Sequence, residues 1–186
     1  LALTLSNVGN VAFNKIRRIL SGLSMGEIEP CEGYLVKLQK TASKGLESFI
    51  QELHDAIIQS EIVYWDDTVI QINKHQSCMR YYGNEDICLF KAHEKKNKEG
   101  LDNDKILSLL NKHTVVEHDH NKVNYNPEYE FINAECCQHL LRDLKKVEVN
   151  IPERTWCKKM IELFQKYDHQ RKELIKTGID TFTEDE

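Results

Sequence analysis

The sequence predicts a mixed α/β fold, in which a five-stranded mixed sheet is flanked by helices and preceded by a helical segment. Two patterns carry this prediction. Apolar residues recur at three- and four-residue steps through much of the first 60 residues, whereas β-branched and aromatic residues dominate several runs after Glu61. With 186 residues, of which 40% are hydrophobic, the chain is long enough to bury a substantial core.

The first 60 residues have the pattern of a helical segment. Gly9 and Gly22 should bound a short helix. A long amphipathic helix over about residues 30–58 should follow, because apolar residues share one of its faces. These residues are Leu35, Leu38, Ala42, Leu46, Phe49, Leu53 and Ile57. The opposite face of this helix carries few basic residues, so we expect the apolar face to pack on protein and not on a membrane.

Strand signals replace the helical period after Glu61. Three β-rich runs at 62–72, 78–82 and 87–92 predict an antiparallel meander. A helix over 101–112, with Asp102 or Asn103 as its N-cap, and a short strand over 114–118 should come next.

The last predicted elements are a strand over 130–134 and helices over 135–147 and 153–176. The resulting order, β-β-β-α-β-β-α, is that of ribonuclease-H-like domains. We therefore divide the chain into a helical segment at 1–60, a ribonuclease-H-like core at 61–147 and a helical extension at 148–186.

Two short acidic blocks follow apolar runs, and they contain Asp66-Asp67 and Asp119. In the predicted sheet the first and fourth strands are parallel neighbours about 4.8 Å apart, so a carboxylate from each can reach one cation. Side chains alternate across a strand, so only one of Asp66 and Asp67 can point at that cation. Two aspartates with water and substrate oxygens suit Mg²⁺. In the alternative interpretation, Asp66-Asp67 starts a turn and Asp119 belongs to an Asx-type loop that caps its own backbone.

A second alternative concerns the cysteines and histidines. Cys136 and His139 lie three residues apart and could form half of a zinc site, with Cys137, His118 or His120 as further ligands. Structural zinc sites usually need two paired motifs, and the sequence contains one. We therefore expect Cys136 to pack in the core, and Trp65 and Trp156 to be core aromatics.

Three motifs in residues 61–144 resemble the catalytic core of the insertion-sequence-sixty-six family of bacterial transposases. That family has an Asp-Glu-Thr motif, a later Asp followed closely by Tyr, and a Cys-x-x-His-x-x-Arg motif. This chain has Asp66-Asp67-Thr68, then Asp119 with Tyr125, then Cys136, His139 and Arg142 at the same spacing. Two departures stand out: Asp67 replaces the usual Glu, and Tyr125 is farther from Asp119 than is common.

The resemblance implies a DDE-type transposase that hydrolyses a phosphodiester at insertion-sequence ends and transfers the strand to target DNA. Asp66 and Asp119 would be the catalytic residues and would bind two Mg²⁺ or Mn²⁺ ions. His139 and Arg142 should face the cleft, where they could orient a carboxylate or contact a DNA phosphate. His118 and His120 flank Asp119 and could hydrogen-bond it or line the cleft as well. The acids available as a third ligand are Glu135, Glu148 and Glu162. We expect instead that this ligand lies outside the chain, and that the chain is a piece of a longer protein with little activity alone.

The implied partners are DNA and, by self-association, a second copy of the protein. A net charge of -5 argues against DNA binding over the whole surface, so contacts should be local. Basic clusters occur at Lys15-Arg17-Arg18, Lys91-Lys95-Lys96-Lys98 and Arg142-Lys145-Lys146. We expect no membrane partner, and we expect the protein in the bacterial cytoplasm, on the nucleoid when DNA is bound. The competing function is a non-catalytic module for self-association or DNA-end assembly with idle carboxylates.

Overall fold

The computed structural model describes residues 1–179 and divides the chain into two compact units. The first unit, Leu1–Asp55, contains α1 (Ala2–Asn7), α2 (Phe13–Leu23), α3 (Glu32–Gly45) and most of α4 (Glu47–Ile58). The second unit begins at Ala56 and contains the sheet. Residues 180–186 of the predicted helical extension lie outside the described residues.

The single long helix predicted over about 30–58 is wrong, because α3 and α4 are separate helices. The backbone N–H of Leu46 bonds the carbonyl of Ser43, three residues back, which ends the α-helical bonding pattern of α3. Gly45 precedes this break and is a poor helix former. Leu46 and Phe49 are 52% and 53% exposed, so the predicted apolar stripe is not a continuous buried seam.

The five strands form one mixed sheet in the order β3-β2-β1-β4-β5. Their bounds are β1 (Ile62–Ile72), β2 (His75–Gly83), β3 (Cys88–His93), β4 (Val115–His118) and β5 (Ile132–Glu135). The first three strands are antiparallel, and β4 lies parallel to both β1 and β5. The predicted fold class is confirmed: this is the ribonuclease-H-like arrangement, with its first and fourth strands adjacent and parallel.

One face of the sheet is buried by Ile57 and by the connections between β3 and β4 and between β4 and β5. Alternate residues of β1, Val63 and Trp65, point into this core, while Tyr64 and Asp66 point the other way. The core cluster consists of Ile57, Val63, Trp65, Tyr82, Leu89, Leu101, Ile106, Leu107, Leu110, Val116, Tyr129 and Phe131.

The helix predicted over 101–112 is also wrong in its bounds. α5 spans Lys98–Asp104, and its N-cap is Asn97, whose side chain accepts a hydrogen bond from the Gly100 N–H. α5 ends at Lys105, which has a left-handed backbone with φ of 54°. A single 3-10 turn, Leu107–Leu109, then brings apolar side chains into the core.

Two helices follow the sheet, α6 (Cys137–Asn150) and α7 (Trp156–Lys176), and they pack against each other. Trp65 is buried as predicted, but the prediction that Trp156 is a core aromatic is wrong, since it is 51% exposed at the start of α7. Over residues 1–179, none of the helices combines the length and the apolar character that crossing a membrane requires.

We expect Gly83→Ala to destabilise the β2–β3 hairpin. A Cβ at residue 83 would overlap the carbonyl oxygen of Ile87 and the phenol of Tyr81, and the backbone oxygen cannot move aside without loss of pairing. The expected cost is about 1–3 kcal/mol, seen as a lower melting temperature. Gly22→Ala is the matched control, because no atom lies within 4 Å of its added Cβ and alanine favours a helix. Equal melting temperatures for the two variants would contradict this account of Gly83.

Candidate functional site

The register between β1 and β4 determines where the two predicted carboxylates lie. The parallel ladder pairs Ile62 with Val115 and ends where Tyr64 pairs with Glu117. Asp66 and Asp119 each lie two residues beyond that last pair, so alternation puts both on the sheet face of Tyr64 and Glu117. The two strands therefore direct both carboxylates to one place.

A third side chain, that of His139, joins this pair. One ligand atom from each of Asp66, Asp119 and His139 lies within 4.8 Å of the others, and all three residues are at least partly exposed. His139 is in the first turn of α6, which begins directly after β5. The Cys136 N–H donates to the His118 carbonyl oxygen at 2.8 Å and so fixes the start of α6 against the end of β4.

The loop after β4 orients the Asp119 carboxylate. Its Oδ1 accepts hydrogen bonds from Asn124 Nδ2 at 2.5 Å and from the Asn121 N–H at 3.2 Å. The Asx-type loop considered as an alternative is thus present, yet it does not exclude a ligand role, because Asp119 still faces Asp66 and His139. The sequence does not predict the Asn124 contact, because this contact depends on the 3-10 turn Lys122–Asn124 that follows Asp119.

His118 and His120 flank Asp119 but have different surroundings, and His118 is too buried to line a cleft. His118 is 1% exposed, and its ring nitrogens contact the Asp119 backbone carbonyl at 2.6 Å and Asn133 Oδ1 at 2.8 Å. Its ring also packs edge to face with Trp65 and Tyr125. The His120 ring pairs with Asp143 of α6 at 2.8 Å. The structure therefore gives His118 a role in the core and His120 a role in the contact with α6.

Asp67 points away from Asp66 and is paired on the opposite face. Its side chain is 5% exposed, forms an ion pair with Lys96, and has Oδ2 3.9 Å from Arg80 Nε. Partial burial by itself would lower the pKa of the Lys96 ammonium. The bond to Asp67 and the negative charges of Asp67 and Asp119 outweigh this effect, so the pKa is raised. Lys96 thus stays cationic, and the sequence marks it only as part of a basic cluster.

The candidates for a third acidic ligand lie elsewhere. Glu135 ends β5, where the Tyr125 hydroxyl donates a short hydrogen bond to it. Burial, together with this bond, raises the pKa of Tyr125 to about 12. Glu148 lies on α6 and Glu162 is exposed on α7. Among residues 1–179, none of these acids joins the group formed by Asp66, Asp119 and His139.

The structure does not assemble the zinc site considered above. Within the described part of the chain, no cysteine belongs to a group of three or more potential ligands. Cys136 is half-buried, short of the fully buried core position we predicted, and Cys137 is exposed. Burial raises the pKa of the Cys136 thiol, and its hydrogen bond with Glu117 acts in the same direction. A protonated thiol is a poor zinc ligand.

A groove with three cationic side chains runs along α6. Arg142 lies one turn after His139 and is exposed. The groove has a volume of ≈ 460 Å³ and is lined by Gln138, Leu141, Arg142, Lys145, Lys146, Val149 and Asn150. Guanidinium and ammonium groups in such a groove can contact the oxygens of a phosphate backbone.

Comparisons with known proteins give a family and a structural likeness. The HTLV-2 integrase catalytic core domain, whose structure was solved in a dimeric form with magnesium, matches 54% of this chain and 82% of its own chain. The two are 13% identical, with a TM-score of 0.35. A comparison with curated proteins found no match. Residues 8–180, nearly the whole chain, match the family described as the Transposase IS66 family. The chain therefore belongs to the IS66 family of transposases.

Proposed function

We propose that this chain contributes the first two acidic ligands of a DDE-type active site, which cleaves DNA at insertion-sequence ends and joins them to target DNA. The observation that carries the proposal is the meeting of Asp66 and Asp119 at the ends of the parallel β1–β4 ladder, with His139 beside them. Paired carboxylates on adjacent strands are suited to bind the divalent cations that phosphoryl transfer requires.

The donor set fits a divalent cation. Carboxylate oxygens are preferred ligands of Mg²⁺ and Mn²⁺, and Asp66 and Asp119 would hold the metal. Once bound, the cation supplies Lewis-acid polarisation of the phosphate and a lowered pKa for an attacking water or 3′-hydroxyl. Asn124 and the Asn121 N–H hold one oxygen of Asp119 in place, which limits the reorganisation needed when substrate binds.

The cationic side chains near the carboxylates would position the DNA. Arg142 and Lys145 line the α6 groove, and Arg142 lies one turn after His139. With a net charge of -5, the chain needs such local positive surfaces to contact a phosphate backbone. Substitution of Arg142 should weaken DNA binding without removing the metal ligands.

The metal part of the proposal is tested by thermal unfolding with and without a divalent cation. Mn²⁺ or Mg²⁺ should raise the melting temperature of the chain, because the cation binds the folded state, with about 1.4 kcal/mol of stabilisation at ten times the Kd. The shift should be absent in a double variant carrying Asp66→Asn and Asp119→Asn. No shift at millimolar cation, or an equal shift in the double variant, would contradict the proposal.

The reaction is tested with a labelled duplex that carries an insertion-sequence end. The transposase should nick this duplex at the end of the element when Mg²⁺ or Mn²⁺ is present, and chelation by EDTA should stop the reaction. Cleavage that continues in EDTA would rule out the proposed chemistry.

A further inference from the structure

We propose that His139 is a further protein ligand of the cation, so that this chain supplies two carboxylates and one imidazole to the metal site. The inference rests on the metal site of the proposed function and extends it to a residue outside the acidic set. A ring nitrogen of His139 lies within 4.8 Å of an oxygen of Asp66 and of Asp119, a spacing that a single shared ion can bridge.

Backbone hydrogen bonds fix the place of residue 139 in the fold. The His139 N–H donates to the Cys136 carbonyl at 3.0 Å in the first turn of α6, and the Cys136 N–H donates to His118 at 2.8 Å. α6 continues for 14 residues, so the first turn belongs to a stable helix. The backbone of His139 is thus held close to the end of β4, and its ring lies near both carboxylates.

One ring nitrogen of His139 has no hydrogen-bond partner within residues 1–179, which is consistent with a role as a ligand. The Nδ1 atom of His139 is buried and has no hydrogen-bond partner among the described residues. A buried polar atom without a partner costs about 1–3 kcal/mol, and a bound group beside the ring would offset this cost. The neighbouring histidines differ, since both ring nitrogens of His118 have protein partners and the ring of His120 pairs with Asp143.

An imidazole ligand changes which cations the site prefers. Two carboxylates alone suit Mg²⁺, whereas an added nitrogen ligand favours first-row transition metals such as Co²⁺. We therefore expect the chain to bind Co²⁺ more tightly than Mg²⁺, with much of that preference due to His139.

The test measures cation binding to the chain directly, by calorimetric titration with Co²⁺ and with Mg²⁺. His139→Ala should weaken Co²⁺ binding by at least about tenfold, because even outer-shell partners of metal ligands are worth 10–100-fold, and it should affect Mg²⁺ less. His169→Ala, an exposed histidine of α7, is the matched control and should change neither affinity. Equal Co²⁺ affinities for the wild type and His139→Ala would overturn the inference.

Bound Mn²⁺ gives a second readout, because a coordinated imidazole produces nitrogen modulation in its electron spin echo. This modulation should be present in the wild type and in His169→Ala and absent in His139→Ala, or in His139→Gln if the alanine variant does not fold. Modulation that persists without His139 would overturn the inference. If Asp66→Asn abolishes cation binding while His139 variants bind normally, the proposed function stands and this inference fails. If the wild type binds no cation, both fail.

Discussion

Asp66→Asn or Asp119→Asn should lower strand cleavage and joining by orders of magnitude while the protein remains folded. Each change removes a negative metal ligand but keeps nearly the same shape. Neither residue belongs to the buried core cluster, and relief of repulsion between two close carboxylates offsets part of any lost contact. The measurements are nicking of a labelled element end by the transposase that carries this chain, and the melting temperature of each variant.

Asp67→Asn is the matched control, since it changes the adjacent residue in the same way. Its side chain is buried between Lys96 and Arg80, so the variant should lose stability and keep much of its cleavage activity. The two neighbours are thus expected to show opposite patterns, with activity lost at Asp66 and stability lost at Asp67. Full cleavage by Asp66→Asn together with none by a folded Asp67→Asn would show that the other face of β1 holds the metal.

Asp104→Ala should cost about 3–5 kcal/mol of folding stability, because it removes a carboxylate partner of the buried Arg80 guanidinium. Asp104 contacts Arg80 Nη1 at 3.4 Å, accepts from the Tyr82 hydroxyl at 2.9 Å and lies 2.7 Å from His93 Nε2. Burial raises the pKa of Tyr82, and the Asp104 charge adds to this, so the phenol remains a donor. Arg80 is fully buried, and Gly100 lies so close that an added Cβ would be 2.7 Å from Nη1.

Urea denaturation at neutral pH measures this cost as a difference in unfolding free energy. Asp168→Ala is the control, because Asp168 also pairs with two cations, Arg171 and Lys172, but on the exposed surface of α7. Surface pairs contribute little, so this variant should be close to the wild type. If Asp104→Ala is no less stable than Asp168→Ala, the buried network does not hold α5 to the sheet.

The sheet could be predicted from the sequence because its strands carry strong local signals. Alternation along β1 was sufficient to separate Asp66 from Asp67, and the element order was sufficient to place β4 beside β1. The start of β2 was missed by three residues, because the turn before it uses Asn73 and Lys74 with φ of 51° and 66°. Lysine gives no sequence signal for such a left-handed turn.

The residues that could not be predicted depend on contacts between distant parts of the chain. The start of α5 follows from Asn97 and from buried Arg80, whose Nη2 donates to the Asn97 carbonyl. Likewise, no local pattern shows that Lys96 pairs with Asp67. His139 was expected in the cleft from the family motif, but its approach to both carboxylates depends on how α6 leaves β5.

The short β1–β4 ladder determines where the protein can tolerate inserted or deleted residues. Three backbone pairs set the alignment, and both aspartates follow the last of them after the same number of residues. One residue inserted between Tyr64 and Asp66 would turn Asp66 into the core and bring a different side chain opposite Asp119. Insertions in the turns between β1 and β4 leave that count unchanged. Relatives of this chain can therefore differ widely in the spacing from Asp66 to Asp119, while the few residues before each aspartate must keep their number.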